Sequence, residues 1–161
     1  MNYQDTFDEH ELVNNWLETL GMPSGHHFQL DEDGVCSIGH SNGIECTIET
    51  PEACGKVYLR APLTRFDGPG DPILHYCMAS HLLGIQTSGA LFATDPEDQT
   101  LVLWQARELA TLNPETFAIM VVDFLETAEH WRDKLMNVPR GSADSVFTDN
   151  PATLDYSLKR A

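Results

Sequence analysis

The pentapeptide Gly39-His40-Ser41-Asn42-Gly43 fits G-x-S-x-G, the pattern of a nucleophile elbow, in which a sharp strand-to-helix turn lifts a serine hydroxyl out for attack on an acyl carbon. The elbow needs a helix behind it and a parallel sheet to carry the acid and histidine of a triad. The next residues are instead Ile44-Glu45-Cys46-Thr47-Ile48, which alternate as a strand does, and Asn42-Gly43 is the pair that a tight hairpin turn demands. A hairpin outweighs a nucleophile here. A small serine hydrolase using Ser41 stands as a competing reading that predicts labelling by an activated phosphonate.

The other chemistry-bearing clusters yield to simpler accounts. Asp31-Glu32-Asp33-Gly34 opens like a calcium loop, but the twelfth position is Asn42 rather than a glutamate and strands flank the segment, so a solvated turn is expected. Zinc needs converging ligands at close spacing. His75 and His81 are six apart on one expected helix and point to different sides, and His26-His27 with Cys36 or His40 would have to converge across strands. Cys36, Cys46, Cys54 and Cys77 contain no C-x-x-C spacing and are expected as reduced thiols, mostly in the core. Carboxylates are so abundant that their proximity in sequence identifies no acid/base pair. No catalytic residue, metal or cofactor is expected, and a metal-binding module is the weakest alternative.

Twenty-five Asp and Glu against nine Lys and Arg give the 161-residue chain a formal charge of −16. A potential of that sign repels nucleic-acid phosphates and anionic lipid headgroups, which excludes both as natural partners. Hydrophobic residues make up 42%, enough for one domain with a real core. The opening Met1-Asn2-Tyr3-Gln4-Asp5 has neither a basic region nor an apolar run, so the expected compartment is the cytosol.

Periodicity supplies the elements. Thr6-Phe7-Asp8-Glu9 matches a capping box ahead of a helix carrying Val13, Trp16, Leu17 and Leu20, stopped by Gly21 and Pro23. Three strands come next: Val35 to Ile38, Ile44 to Ile48, and Lys56 to Ala61, the last ending at Pro62. Asp71-Pro72 opens a helix over 72–83, with Ile73, Leu74, Tyr76, Cys77, Met78, Leu82 and Leu83 projecting almost all round it, a pattern that asks for cover on several sides. A second subunit is the economical cover. Residues 90–94 and 100–106 form a hairpin whose second strand is apolar on both faces. Asn113-Pro114 begins a long amphipathic helix with Phe117, Met120, Val121, Phe124, Leu125, Ala128, Trp131 and Leu135 on one stripe. The expected architecture is α+β, in the order α-β-β-β-α-β-β-α, with one twisted antiparallel sheet and helices packed against it. Residues 1–136 form this domain, and 137–161 read as a polar tail, loosely packed or disordered.

With elements in that order the chain resembles the class I type III secretion chaperones, the Tir chaperone (CesT) family. The resemblance runs from about Leu12 to Leu135. It rests on Leu20-Gly21-Met22-Pro23, Leu30-Asp31-Glu32-Asp33-Gly34-Val35-Cys36, Ala61-Pro62-Leu63, Thr87-Ser88-Gly89-Ala90-Leu91, and the stretch Phe124 to Arg132 with its Trp131. Gly84-Ile85 departs from the longer second helix that the family implies. The resemblance implies a bacterial cytosolic homodimer, seamed by the second helix and the neighbouring strand, that holds the N-terminal segment of a secreted effector and releases it at the export apparatus. Its implied partners are a second copy, the effector and the export ATPase. For the seam the expected residues are Ile73, Leu74, Cys77, Met78, Leu82 and Leu91. For effector contact they are Val13, Leu17, Phe28, Leu30, Val35, Ile38 and Trp104. A regulatory protein that sequesters another chaperone or an activator is the alternative within the same fold.

Overall fold

A computed structural model describes residues 8–39 and 43–139. The elements run α1 Glu9–Gly21, β1 Val35–Gly39, β2 Glu45–Glu49, β3 Lys56–Arg65, α2 Pro72–Ser80, β4 Leu91–Asp95, β5 Thr100–Glu108 and α3 Pro114–Met136, the expected order. All strand pairs are antiparallel, and the spatial order is β1-β2-β3-β5-β4. The expected α+β architecture is what the chain adopts.

Alternation decides which face is dry. Cys36, Ile38, Cys46, Ile48, Val57, Leu59, Ala61 and Leu103 all point to one side and are buried, because the register sets Cys36 against Ile48, Ile48 against Leu59 and Ala61 against Leu103. Onto that side pack α3, through Phe117, Val121, Phe124, Ala128, Trp131 and Leu135, and α1, through Val13, Trp16 and Leu17. The two helices meet where the rings of Trp16 and Phe117 lie 5.4 Å apart. The opposite face carries Ser37, Thr47, Glu49, Tyr58, Arg60 and Trp104, and among the described residues no helix lies over it. Its polar side chains make cross-strand pairs, such as Arg60 with Asp95.

Three boundaries differ from expectation, each for a local reason. The cap of α1 is Asp8, whose Oδ1 accepts from the backbone N–H groups of His10 and Glu11 at 3.0 and 3.1 Å; Thr6 lies outside the described residues. Strand β3 does not stop at Pro62 but runs to Arg65, because a register shift between Pro62 and Thr64 absorbs the missing N–H donor in a bulge. Helix α2 ends at Ser80, not 83. Leu83 and Gly84 both adopt left-handed backbone, φ 63 and 64, which a right-handed helix cannot propagate through, and the chain continues as a kinked 3₁₀ segment, Leu82–Thr87.

The acidic segment weighed for calcium binding resolves into a turn. Asp31 Oδ1 accepts from the N–H groups of Asp33 and Val35 at 3.0 and 2.9 Å, so this carboxylate closes the turn into β1. Gly34 sits there at φ 76, and a Cβ on it would lie 2.7 Å from the Thr50 carbonyl and 2.8 Å from the His10 ring. Only glycine fits. Strands β1 and β2 pair from Gly39 with Glu45 inward, so a strand comes after the Gly39 to Gly43 segment where an elbow needs a helix. His40, Ser41 and Asn42 themselves lie outside the described residues, as does the tail from Arg140 onward. Among the described residues no group of three or more His, Cys, Asp or Glu is placed to hold a metal ion, and no helix is long and apolar enough to cross a membrane.

Candidate partner-binding surfaces

Among the described residues β4 pairs only with β5 and β1 only with β2, so each edge carries unpaired backbone donors and acceptors, a template for another strand, except at Val35, whose N–H and C=O are both engaged by Asp31.

Beside the β4 edge stands an apolar ridge. Helix α2 turns Ile73 and Cys77 into the core, leaves Leu74 half-buried, and sends Met78 outward with 71% of its surface exposed. The 3₁₀ segment and β4 extend the ridge with Leu82 at 66%, Leu83 at 74%, Ile85 at 63% and Leu91 at 40%. Between α2 and β4 lies a pocket of about 280 Å³ lined by Leu74, Cys77, Met78, Phe92, Ala93 and Leu101. A group of apolar side chains left exposed among the described residues, on a chain otherwise rich in charge, is a candidate contact surface.

The ridge is held in place from α3. The Trp131 indole N–H donates to the Gln86 carbonyl at 2.9 Å, and Lys134 Nζ donates to Gln86 Oε1 at 3.3 Å while lying 4.6 Å from the centre of the Trp131 ring. Phe92 of β4 meets Trp131 edge-to-face at 4.8 Å, and His81 in turn meets Phe92 at 5.6 Å. The left-handed Leu83 lies between these anchored positions, His81 and Gln86, in a backbone conformation that costs about 1–3 kcal/mol.

The expected seam residues divide accordingly. Leu74, Met78, Leu82 and Leu91 lie on the surface, whereas Ile73 and Cys77 are enclosed by their own chain and support the ridge from beneath. Leu83 and Ile85 belong to it too. Their signal in the sequence was the Leu-Leu-Gly-Ile run, where a glycine after apolar residues marks a turn that re-aims the next side chain.

The expected effector-contact residues divide in the same way. Val13, Leu17, Leu30 and Ile38 are buried in the core, because the apolar stripe of α1 and the inward face of β1 are claimed by α3 and the sheet; they position the surface rather than form it. Phe28 and Val35 are half-buried near the β1 edge. Trp104 is half-buried on the helix-free face, stacked on Tyr58 with ring centres 6.5 Å apart.

The thiols are free, and three of the four are enclosed. Burial pushes the Cys46 and Cys77 thiols up from 9.0 to about 12, and burial also raises Cys36 against the opposing hydrogen bond to the Gln29 backbone. A thiol this protonated is a poor nucleophile. Native protein at pH 8 is therefore expected to give one fast-reacting thiol per chain with an aromatic disulfide reagent, that of the exposed Cys54, and all four after denaturation. More than one fast thiol in the native state would refute the burial. Because the folded chain holds the Cys46 and Cys77 protons more tightly than the unfolded chain, their contribution to stability is complete below about pH 9 and declines as pH rises from there toward 12.

The family model described as Tir chaperone protein (CesT) family matches residues 11–132. No curated protein matches the sequence closely enough to be counted a relative. Among solved structures, the fold is similar to a chain of the ExsC-ExsE complex, with a TM-score of 0.70 at 22% identity over 84% of this chain and 100% of that one. It is also similar to a chain of the HopA1-SchA chaperone-effector complex, at 0.64 and 17% over 77% and 95% of the two chains. A third likeness is to a chain of the heterodimeric ExoU-SpcU complex from the type III secretion system of Pseudomonas aeruginosa, at 0.56 and 14% over 76% and 93%. At these identities the likenesses establish a shared fold.

Proposed function

The chain belongs to the Tir chaperone protein (CesT) family, and from that premise we propose that it is a cytosolic bacterial secretion chaperone that binds the N-terminal region of a secreted effector and catalyses nothing. One observation carries this reading: among the described residues, one sheet with helices on one face and an edge strand at each end that pairs on one side only, one of them flanked by the apolar ridge. The ridge and the β4 edge suit a second copy of the chain. The β1 edge, with Phe28 and Val35 beside it, suits an extended segment of the effector, which would satisfy its backbone as an added strand and seat alternate side chains in apolar hollows. Each added backbone hydrogen bond contributes about 0.5–1.5 kcal/mol, so contacts elsewhere must help to offset the cost of ordering the segment. Bound this way, an effector is kept soluble and only partly folded, ready to pass to the export apparatus and its ATPase. The acidity of the chain keeps such a complex dispersed.

Affinity capture with the tagged chain in its native cell tests the proposal. The expected result is one or a few exported proteins, each retained by a fragment carrying only its N-terminal segment. Capture of a transcriptional activator or another chaperone, with no exported protein, would favour the regulatory reading instead.

A further inference from the structure

Acidic side chains gather at the β1 end of the sheet. Residues 1–55 hold eleven Asp and Glu and no Lys or Arg, so most of the net charge sits on the part of the chain that builds α1, β1 and β2. Asp31, Glu32 and Asp33 are exposed at the turn into β1. The register sets Glu45 opposite Gly39 and Glu49 opposite Val35, which places both glutamates on the helix-free face. Neither has an ion-pair partner among the described residues, and Arg60, opposite Thr47 on the same face, is engaged by Asp95.

The free part of the β1 edge is short. Val35 commits its outward N–H and C=O to Asp31. Alternate residues of an antiparallel strand face the same neighbour, so Ser37 and Gly39 carry the outward groups that remain. The few backbone hydrogen bonds available there contribute little net stability, and a segment docking on this edge needs further contacts. Gly39 shows where one of them lies. Its backbone is not left-handed, and a Cβ built on it would meet no atom within 4 Å, so neither turn geometry nor packing requires a glycine. A strand glycine of that kind marks a close approach by another chain. Adjacent strands lie about 4.8 Å apart, which puts a residue added beside Gly39 about 10 Å from Glu45, backbone to backbone. An extended Lys or Arg and a glutamate close that span only if nothing stands between them, and at Gly39 nothing does.

We infer that the β1 edge takes a cationic strand. Added antiparallel, its sequence runs basic, apolar, any, apolar: a Lys or Arg beside Gly39 reaches across the glycine to Glu45, and the apolar residues lie beside Ile38 and Cys36 on the helix side. The inference rests on the chaperone reading and names the chemistry of the effector segment. The anionic field over this part of the chain speeds encounter with such a segment and disfavours acidic ones.

Two blocked pentapeptides test it against the full chain, acetyl-Lys-Leu-Ser-Leu-Ser-amide and the same sequence with Glu in place of Lys, followed through backbone amide resonances. The lysine peptide is expected to shift the Ser37 and Gly39 amides saturably at millimolar concentration and to bind about fivefold or more tighter than the glutamate peptide. Glu45→Gln should weaken the lysine peptide by about two- to fivefold, the worth of an exposed ion pair. Glu18→Gln, the same change of net charge at an exposed position of α1, should leave its binding nearly unchanged. Equal binding of the two peptides, equal losses in the two variants, or no shift at Ser37 and Gly39 overturns the inference. An exported protein captured through a segment lacking Lys and Arg would sink it while leaving the chaperone reading intact. Capture of no exported protein would overturn that reading alone, with the peptide preference still standing.

Discussion

If the proposed second copy seats on the ridge, a chain carrying Leu82→Asp together with Ile85→Asp is expected to behave as a folded monomer at concentrations where the unsubstituted chain self-associates. Both side chains are largely exposed in the single chain, at 66 and 63%, so the substitutions remove little from its core. In an assembly that covers the ridge, each loses about 1.5–3 kcal/mol of apolar burial, and each introduces a carboxylate that must be desolvated without a partner. A combined loss of about 3–6 kcal/mol weakens the dimer by roughly a hundredfold to more than ten-thousandfold. Light scattering across a dilution series reads the mass directly. Met22→Asp, at a residue equally exposed at the end of α1, serves as control and should leave the mass unchanged. If the doubly substituted chain keeps the dimer mass, the ridge is not the seam.

Trp131→Ala is the single substitution expected to do most damage to the fold. The side chain is completely enclosed, meets Phe92 edge-to-face, and ties the ridge to α3 through the Gln86 carbonyl. Removing it leaves a cavity and an unpaired carbonyl together, a loss of about 3–5 kcal/mol against a total stability of about 5–15 kcal/mol for a domain of this kind. Denaturant titration measures the shift. Trp131→Phe keeps most of the volume and loses chiefly the indole hydrogen bond, and should cost far less. A Trp131→Ala chain with near-native stability would show that the ridge is not held from α3. The same pair separates presentation from folding: if the latch sets the ridge, Trp131→Phe should already weaken self-association while the far-ultraviolet spectrum stays native.

Those two results depend on different kinds of information. Trp131 was visible in the sequence as one point on an apolar stripe running from Phe117 to Leu135, and the helical repeat alone placed it inward. Its hydrogen bond to residue 86 was not visible, since it joins positions 45 apart. Leu82 and Leu91 were likewise legible as apolar residues in need of cover. Ile73 and Cys77 looked the same as Met78, because a helix apolar on every side gives no clue to which side its own chain will claim. Val13 and Leu17 illustrate the point from the other end. Their stripe said only that something must lie against α1, and that something is α3 of the same chain rather than a partner.

Local rules thus determined what is local: the antiparallel meander, the Asn113 cap, the turn chemistry at Asp31 to Gly34 and the order of elements all derive from repeat periods and from the few residues able to cap or turn a chain. The family likewise derives from residues in order along the chain. Tertiary structure decided how the surplus of apolar surface is divided. Burial is a competition among faces that sequence leaves equal, resolved by which elements the connections allow to meet. Here it enclosed the apolar stripe of α1 and the inner face of the sheet and, among the described residues, left the Met78 to Leu91 ridge exposed and β1 and β4 each paired on one side.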